Sequence, residues 1–448
     1  MKKVAIIGAG LSGLMSAWYI KQFNPDAQVT IFEADKKGGQ ISTEEHQGVL
    51  LEKGPAFLLL ENPVLQHALS KINSENLLLC KDEKAYVLKD TYYQKAPSGF
   101  MEYENGIFSF LSSGMSSIFA MKKKVSLWDT LSFFDFLKST YGMTYAENQG
   151  SSFARNIFYT EAENLNFRSA YSELYDELKK GLGLKETLQK FNSEKKTYWQ
   201  KESLTSFTPG IYYYKGGLSK IFDDLSEDLK SKDCHIEFAK IHDISHHKNE
   251  FTLHSRKSKF GPFDKVISTI NAHEQSALLK GLHKELSIKL AELKYRPVSY
   301  VYSAYNFKDF NRAGLGFFAP RKEKLTISGT FYINSINKEI EKLNQFVTRT
   351  IIPGDLSLFS DQELIDIQNV DFEKVYSLTA KPLWSKVFRN ESQGPLLDNH
   401  YTTWKNSVRQ IEKEISNDIQ GLGIIGNDMS GSNISRILEE AYQTAKNV

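Results

Sequence analysis

The chain has 448 residues, 41% hydrophobic and 25% charged, a composition that fits a folded protein and excludes an extended disordered one. Its length exceeds one ordinary core and predicts two or three domains, each large enough to enclose a ligand. A formal net charge of +2, with Lys and Arg scattered, gives no reason to expect nucleic-acid binding.

The first predicted elements lie in "VAIIGAGLSGLMSAWYI", residues 4 to 20. A basic start before an apolar run is also how a secretory signal begins, but the glycine spacing argues against that reading. Gly8, Gly10 and Gly13 form G-x-G-x-x-G between a β-branched stretch and a helical pattern containing Leu14, Ala17, Trp18 and Ile20. In such a unit the first glycine permits a tight turn, the second admits a pyrophosphate, and the third lets helix and strand pack closely. "VTIFEA" then reads as a second strand ending in Glu33, twenty residues after Gly13, where an acid can accept hydrogen bonds from a ribose.

"KKGGQIST" puts Gly38 and Gly39 just past Glu33, with Ser42 and Thr43 behind them. With this second element the sequence resembles the FAD-dependent amine oxidase superfamily, which carries an acid, a short spacer, a double glycine and a Ser or Thr. Two departures stand out: the spacer is one residue short, and Gln40 occupies a position where the family usually has Arg or Lys. Lys36 or Lys37 is the candidate for the missing positive charge.

Further along, "LEKGPAFLLLENP" (51–63) looks like the E-x-G-P loop of the protoporphyrinogen oxidase branch, and "AYVLKDTYYQKAPSG" (85–99) reads as a hairpin with an Asp-Thr turn and an Ala-Pro-Ser-Gly corner. Residues 107–124 carry an uncharged run too short to span a bilayer, ending at Lys122, Lys123 and Lys124. The resemblance implies a membrane-contacting insertion in this part of the chain; an internal helix with a solvated lysine end is the competing reading. The segment from Asn156 is similar to one in the same enzymes, with Asn156 and Tyr159 where small residues are usual, a change expected to reshape the substrate cavity.

"IYYYKGGLSKIFDDLSEDL" predicts strand, Gly216–Gly217 turn and amphipathic helix, returning the chain to the cofactor domain. "CHIEFAKIHDI" reads as a strand pair, with Ile241 placed by the resemblance against the adenine, and "SHHK" at His246 and His247 as a solvated turn rather than a metal site. "DKVISTINAH" resembles the strand closing this half of the cofactor domain, with Asn271 in place of the customary proline. Residues 314–335 resemble two antiparallel strands of the porphyrinogen oxidase substrate domain, matching at Gly314, Gly316, Pro320, Gly329 and Thr330. The similarity then weakens to about residue 400.

At the C-terminus a short apolar strand reaches Gly426 and Asn427, a polar loop reaches Gly431 and Asn433, and a helix begins with Ile434, Ile437, Leu438 and Ala441 on one face. Ser432 or Asn433 can cap it, leaving its positive end to face the flavin pyrimidine. Altogether the resemblance implies cofactor contacts at Gly8, Gly10, Leu11, Ser12, Gly13, Glu33, Ala34, Gly38, Gly39, Gln40, Gly54, Pro55, Ala56, Ile241, Thr269, Gly426, Asn427, Asn433 and Ile434. No catalytic residue or metal site is assigned.

The expected fold is α/β plus α+β: a discontinuous Rossmann-like FAD-binding domain (1–80, 206–280 and 401–448), a helical and substrate insertion that is the candidate for membrane contact (81–205) and a mixed-sheet substrate domain (281–400). The expected function is FAD-dependent oxidation of protoporphyrinogen IX or coproporphyrinogen III to the porphyrin in haem biosynthesis, with molecular oxygen as acceptor. An amine oxidase or carotenoid-type desaturase on the same scaffold, or a non-catalytic flavin and tetrapyrrole carrier, are the alternatives. Cys80 and Cys234 form no disulfide framework, which suits a reducing compartment; neither lies in the C-terminal flavin-facing segment, so FAD is expected to be non-covalent. The expected location is cytoplasmic, with peripheral contact at the inner face of the membrane left open.

Overall fold

A computed structural model describes residues 2–80, 85–89, 92–95, 128–181, 183–204 and 208–448. The run at 107–124, and the turn and corner of the 85–99 hairpin, lie outside the described residues.

Val4, Ala5, Ile6 and Ile7 are all buried, the pattern of a strand covered on both faces. The strand Lys3–Ile7 is the centre of a five-stranded parallel sheet, flanked by Gln28–Glu33 and then His235–Phe238 on one side, and by Lys265–Ser268 and then Leu422–Ile424 on the other. Helix Leu11–Phe23 covers one face and packs against the C-terminal helix Ile434–Lys446 and helix Lys220–Ser231. Trp18 and Tyr19 fill these contacts: Tyr19 meets the Tyr442 ring edge-on at 4.7 Å, and Trp18 donates to Asp228 at 2.8 Å. On the other side lies an antiparallel sheet of Ile241–His247, Glu250–Ser255 and Lys259–Phe263, whose Phe260 and Phe263 pack on Phe32.

A second, seven-stranded sheet has the order Trp384–Pro395, Tyr295–Asn306, Gln345–Pro353, Gly329–Tyr332, Gly316–Phe318, Ala85–Lys89, Tyr92–Lys95. It is antiparallel except where Gly316–Phe318 runs parallel to Ala85–Lys89. Helix Asp361–Tyr376, started by a Ser360–Glu363 capping box, covers an aromatic core of Tyr305, Phe310, Phe346 and Phe372. A run of helices from Phe133–Tyr141 to the 18-residue Leu184–Lys201 forms a helical stretch between the sheets. The architecture is the expected one: a Rossmann-like domain assembled from separated stretches, a mixed sheet and helices between them.

Three local readings are corrected. The stretch 234–244 is no strand pair: His235–Phe238 joins the parallel sheet and Ile241–His247 starts the antiparallel one. His246 and His247 end that strand, and the turn falls at Lys248 and Asn249, which take the positive φ a tight hairpin needs. The polar stretch after Gly426 is a short helix, Asn427–Ser430, rather than a loop. Among the described residues, no helix is long and apolar enough to cross a membrane.

Candidate active site

The site starts from the glycine turn between the first strand and first helix. A Cβ on Gly13 would run into the carbonyl oxygen of Gly8, so only glycine lets the helix sit this close to the strand. The Gly8 amide donates to Phe32 O at 2.8 Å, and the Gly38 amide to Ala9 O at 2.9 Å, folding the double-glycine turn onto the first loop. Helix Leu11–Phe23 begins at Gly10 with no side-chain cap and no acid in its first turn. The Ser12 hydroxyl is buried with no hydrogen-bond partner among the described residues. Free helix amides beside an unused hydroxyl are a donor set suited to a phosphate.

A cavity of about 620 Å³ opens over this turn. Its walls contain Gly8, Gly10, Leu11, Ser12, Glu33, Ala34, Gly38, Gly39, Gln40, Pro55, Ile241, Thr269, Asn427 and Ile434 from the sequence-predicted set. Gly13, Gly54, Ala56, Gly426 and Asn433 stand outside the lining. Gly13 and Gly54 act through backbone packing, since a Cβ on Gly54 would strike the Gln40 carbonyl. Asn433 caps the C-terminal helix, accepting from the Arg436 amide at 3.0 Å. Glu33 accepts from the Ala9 amide at 2.8 Å and the Asp35 amide at 3.0 Å, which orients its carboxylate in the wall with lone pairs to spare.

The departures from the family pattern can be followed individually. Lys37 is tied to Asp223 at 2.8 Å, while Lys36 faces the cavity. Gln40 donates to Ser392 O at 2.6 Å and accepts from Asn427 at 3.2 Å, so an uncharged amide links three segments of the wall. Asn156 does not line the cavity: it is buried and donates to Ser152 O and Ser328 O, both at 2.8 Å, joining helix to sheet across Gly329. Tyr159 does line it, with φ 50°, the left-handed conformation that suits a small residue and strains a tyrosine by roughly 1–2 kcal/mol.

Sequence reasoning missed Ser392, Gln393 and Asp428 in the wall. Ser392 and Gln393 lie on a strand of mixed polarity without periodic signal. Asp428 is 5% exposed; one oxygen accepts from Tyr295 OH at 2.5 Å and from the Ala272 amide at 2.7 Å, and the other has no partner among the described residues. Burial pushes its pKa upward.

Behind the wall sit two buried arginines. Arg349 donates to Gly54 O and stacks 3.7 Å from the Tyr300 ring centroid. Below it Glu52 accepts from the Leu218 amide and from Thr43 OH, both at 2.9 Å; burial pushes it up to about 7. Arg296, 3% exposed, donates to Phe158 O and lies near the Tyr159 and Phe158 rings. Burial pushes it down to about 10, so it remains a cation at neutral pH.

This fold and loop geometry match known proteins. The chain belongs to the family of flavin containing amine oxidoreductases, whose family model matches residues 11–448. It is therefore a flavin-dependent oxidoreductase, and the donor set at the first helix fits such a cofactor. It is 23% identical over 447 residues to the coproporphyrinogen III oxidase of Staphylococcus aureus, covering 95% of this chain and 94% of that protein. It is 20% identical to protoporphyrinogen oxidase 2 of Arabidopsis thaliana, covering 99% of this chain and 93% of that one. A crystal structure from Exiguobacterium sp. 255-15, provisionally named a protoporphyrinogen oxidase, shares the fold with a TM-score of 0.75 and 19% identity, over 100% of this chain and 98% of that chain.

Proposed function

We propose that the chain binds FAD non-covalently and oxidises a porphyrinogen, protoporphyrinogen IX or coproporphyrinogen III, to the porphyrin, with molecular oxygen as final acceptor. The observation that carries this reading is the extent of the likeness: relatives named for these two reactions match over nearly the whole chain, the second sheet included. FAD rather than a mononucleotide is favoured because one cavity has walls both at Glu33 and Ile241 and at Asn427 and Ile434.

In this reading Gly8, Gly10 and the Leu11–Ser12 amides hold the pyrophosphate, and Glu33 holds the ribose. Gln40, Gln393 and Asn427 form a hydrogen-bonding polar wall. Ile157, Tyr159, Ile434 and Ile437 supply apolar wall that excludes water. When bound, the flavin supplies a two-electron acceptor that oxygen reoxidises.

The test is anaerobic mixing of flavin-loaded protein with each porphyrinogen separately, following the flavin absorbance and then porphyrin fluorescence after admitting air. Rapid bleaching by one substrate, followed by porphyrin formation, is expected. If neither bleaches a properly bound flavin, the porphyrinogen reading fails and amines and polyenes become the substrates to try.

A further inference from the structure

Arg296 is a buried cation with no matching anion among the described residues. Among the described residues no carboxylate pairs with it; its guanidinium contacts the Phe158 carbonyl, and its Nε has no partner. An isolated charge taken out of water costs several kcal/mol unless another charge answers it. The fold nevertheless makes room for it. A Cβ at Gly394 would overlap Ser432 Oγ and come 3.1 Å from Arg296 Nη2, so the missing side chain lets hydroxyl and guanidinium share one space.

That space adjoins the cavity. Ser432, whose hydroxyl is buried and unpartnered among the described residues, is in its wall, as are Tyr159, whose ring centroid is 5.9 Å from the Arg296 guanidinium, and Ile434 at the start of the 13-residue C-terminal helix. The helix N-terminus, with Ile434 in the wall, adds a partial positive charge beside it. Two independent features therefore raise the potential at one end of the cavity, a guanidinium and a helix N-terminus, and a hydroxyl with no partner among the described residues stands beside them as a donor.

We propose that Arg296, beside Ser432 and this helix end, stabilises the negative charge that bound flavin acquires on two-electron reduction. A donor that passes two electrons and one proton to the cofactor leaves one net negative charge there, while the donor's second proton goes to water. A buried guanidinium behind the wall suits a charge on a fixed ring system better than a mobile substrate carboxylate, which would need direct contact. Arg296 is thus a positioning and tuning residue, and the proposal rests on the flavin reading but not on the porphyrinogen one.

The experiment uses flavin-loaded wild type, Arg296→Met, Arg296→Gln and Arg296→Lys, and reads the two-electron midpoint potential against a reference dye and the dissociation constant for sulfite, which adds to flavin as an anion. The uncharged variants are expected to lose about tenfold in affinity for reduced over oxidised flavin, a fall of about 30 mV for a two-electron couple. Sulfite should bind about tenfold more weakly, with Lys restoring most of both. Gln retains a donor for Phe158 O and gives the same reading should Met fail to fold. Uncharged variants that hold flavin with unchanged potential and sulfite affinity would overturn the proposal, even if their KM for a carboxylated substrate rose. Wild type that retains no flavin would overturn the cofactor reading itself.

Discussion

At the scale of single residues, the glycine turn proposed to hold the cofactor depends on what is missing from it. Gly13 has no room for a Cβ because the Gly8 carbonyl occupies that space. Gly13→Ala must push helix from strand, and is expected to cost about 1–3 kcal/mol in stability and most of the bound flavin, measurable by thermal unfolding and flavin-to-protein ratio. A normally loaded variant would show that the close approach is dispensable. Such residues were legible in the sequence because spacing alone identifies them. Tyr159 was legible only as a departure; its left-handed backbone and place in the wall depend on the helix before it and on Tyr300 and Arg296 beside it. Ser12 was legible as a cofactor contact and Ser432 as a candidate cap, but that their hydroxyls and one oxygen of Asp428 are buried with no partner among the described residues was not, because an unpaired buried oxygen is a property of packing and not of residue type.

Among elements, the C-terminal helix shows how a cap and a site share residues. Asn433→Ala removes the acceptor for the Arg436 amide and is expected to cost about 1 kcal/mol, read as a lowered melting temperature. Asn433→Asp should keep the stability, and if Ala does as well the cap contributes nothing. Glu52 couples the strand Val49–Glu52 to the turn at Leu218, with Thr43, Tyr302 and Arg349 around it. Its burial raises the folded-state pKa to about 7 against an ordinary 4.5, so the folded protein holds a proton that the unfolded chain releases. Stability therefore falls as pH rises from about 4.5 to about 7, by about 3 kcal/mol from this group. Glu52→Gln should lack that loss, its advantage over wild type growing across the same window in chemical denaturation; a pH-independent difference would refute the assignment.

Strands with continuous β-branched runs and the amphipathic helices Lys220–Ser231 and Ile434–Lys446 could be read from periodicity. The helix Asn427–Ser430 could not, since four residues carry no period and its place depends on Tyr401 OH donating to Asp428 O at 2.7 Å. The chain's crossing from one sheet to another between Phe238 and Ile241 was equally hidden, because consecutive strands look alike whichever neighbours they pair with.

For the whole molecule, the cavity draws walls from residue 7 to residue 437, so a cofactor bound there would hold distant stretches together. Protein stripped of flavin is expected to unfold at lower temperature, with added FAD restoring about 2.7 kcal/mol at a hundredfold excess over its dissociation constant. Identical melting curves with and without FAD would mean it does not bind the folded state. The separated organisation was legible because each returning segment carries its own glycine signature; the Ser392–Gln393 wall was not, because it reaches the cavity only through pairing with Tyr295–Asn306. The parallel sheet has a strand from near each end of the chain, Lys3–Ile7 and Leu422–Ile424. During synthesis the N-terminal glycine turn leaves the ribosome long before its closing wall at 427–437 exists. The nascent chain must therefore carry an open half-cavity through the making of some four hundred residues, and on the proposed reading flavin is enclosed only once the stretch 427–437 has been translated.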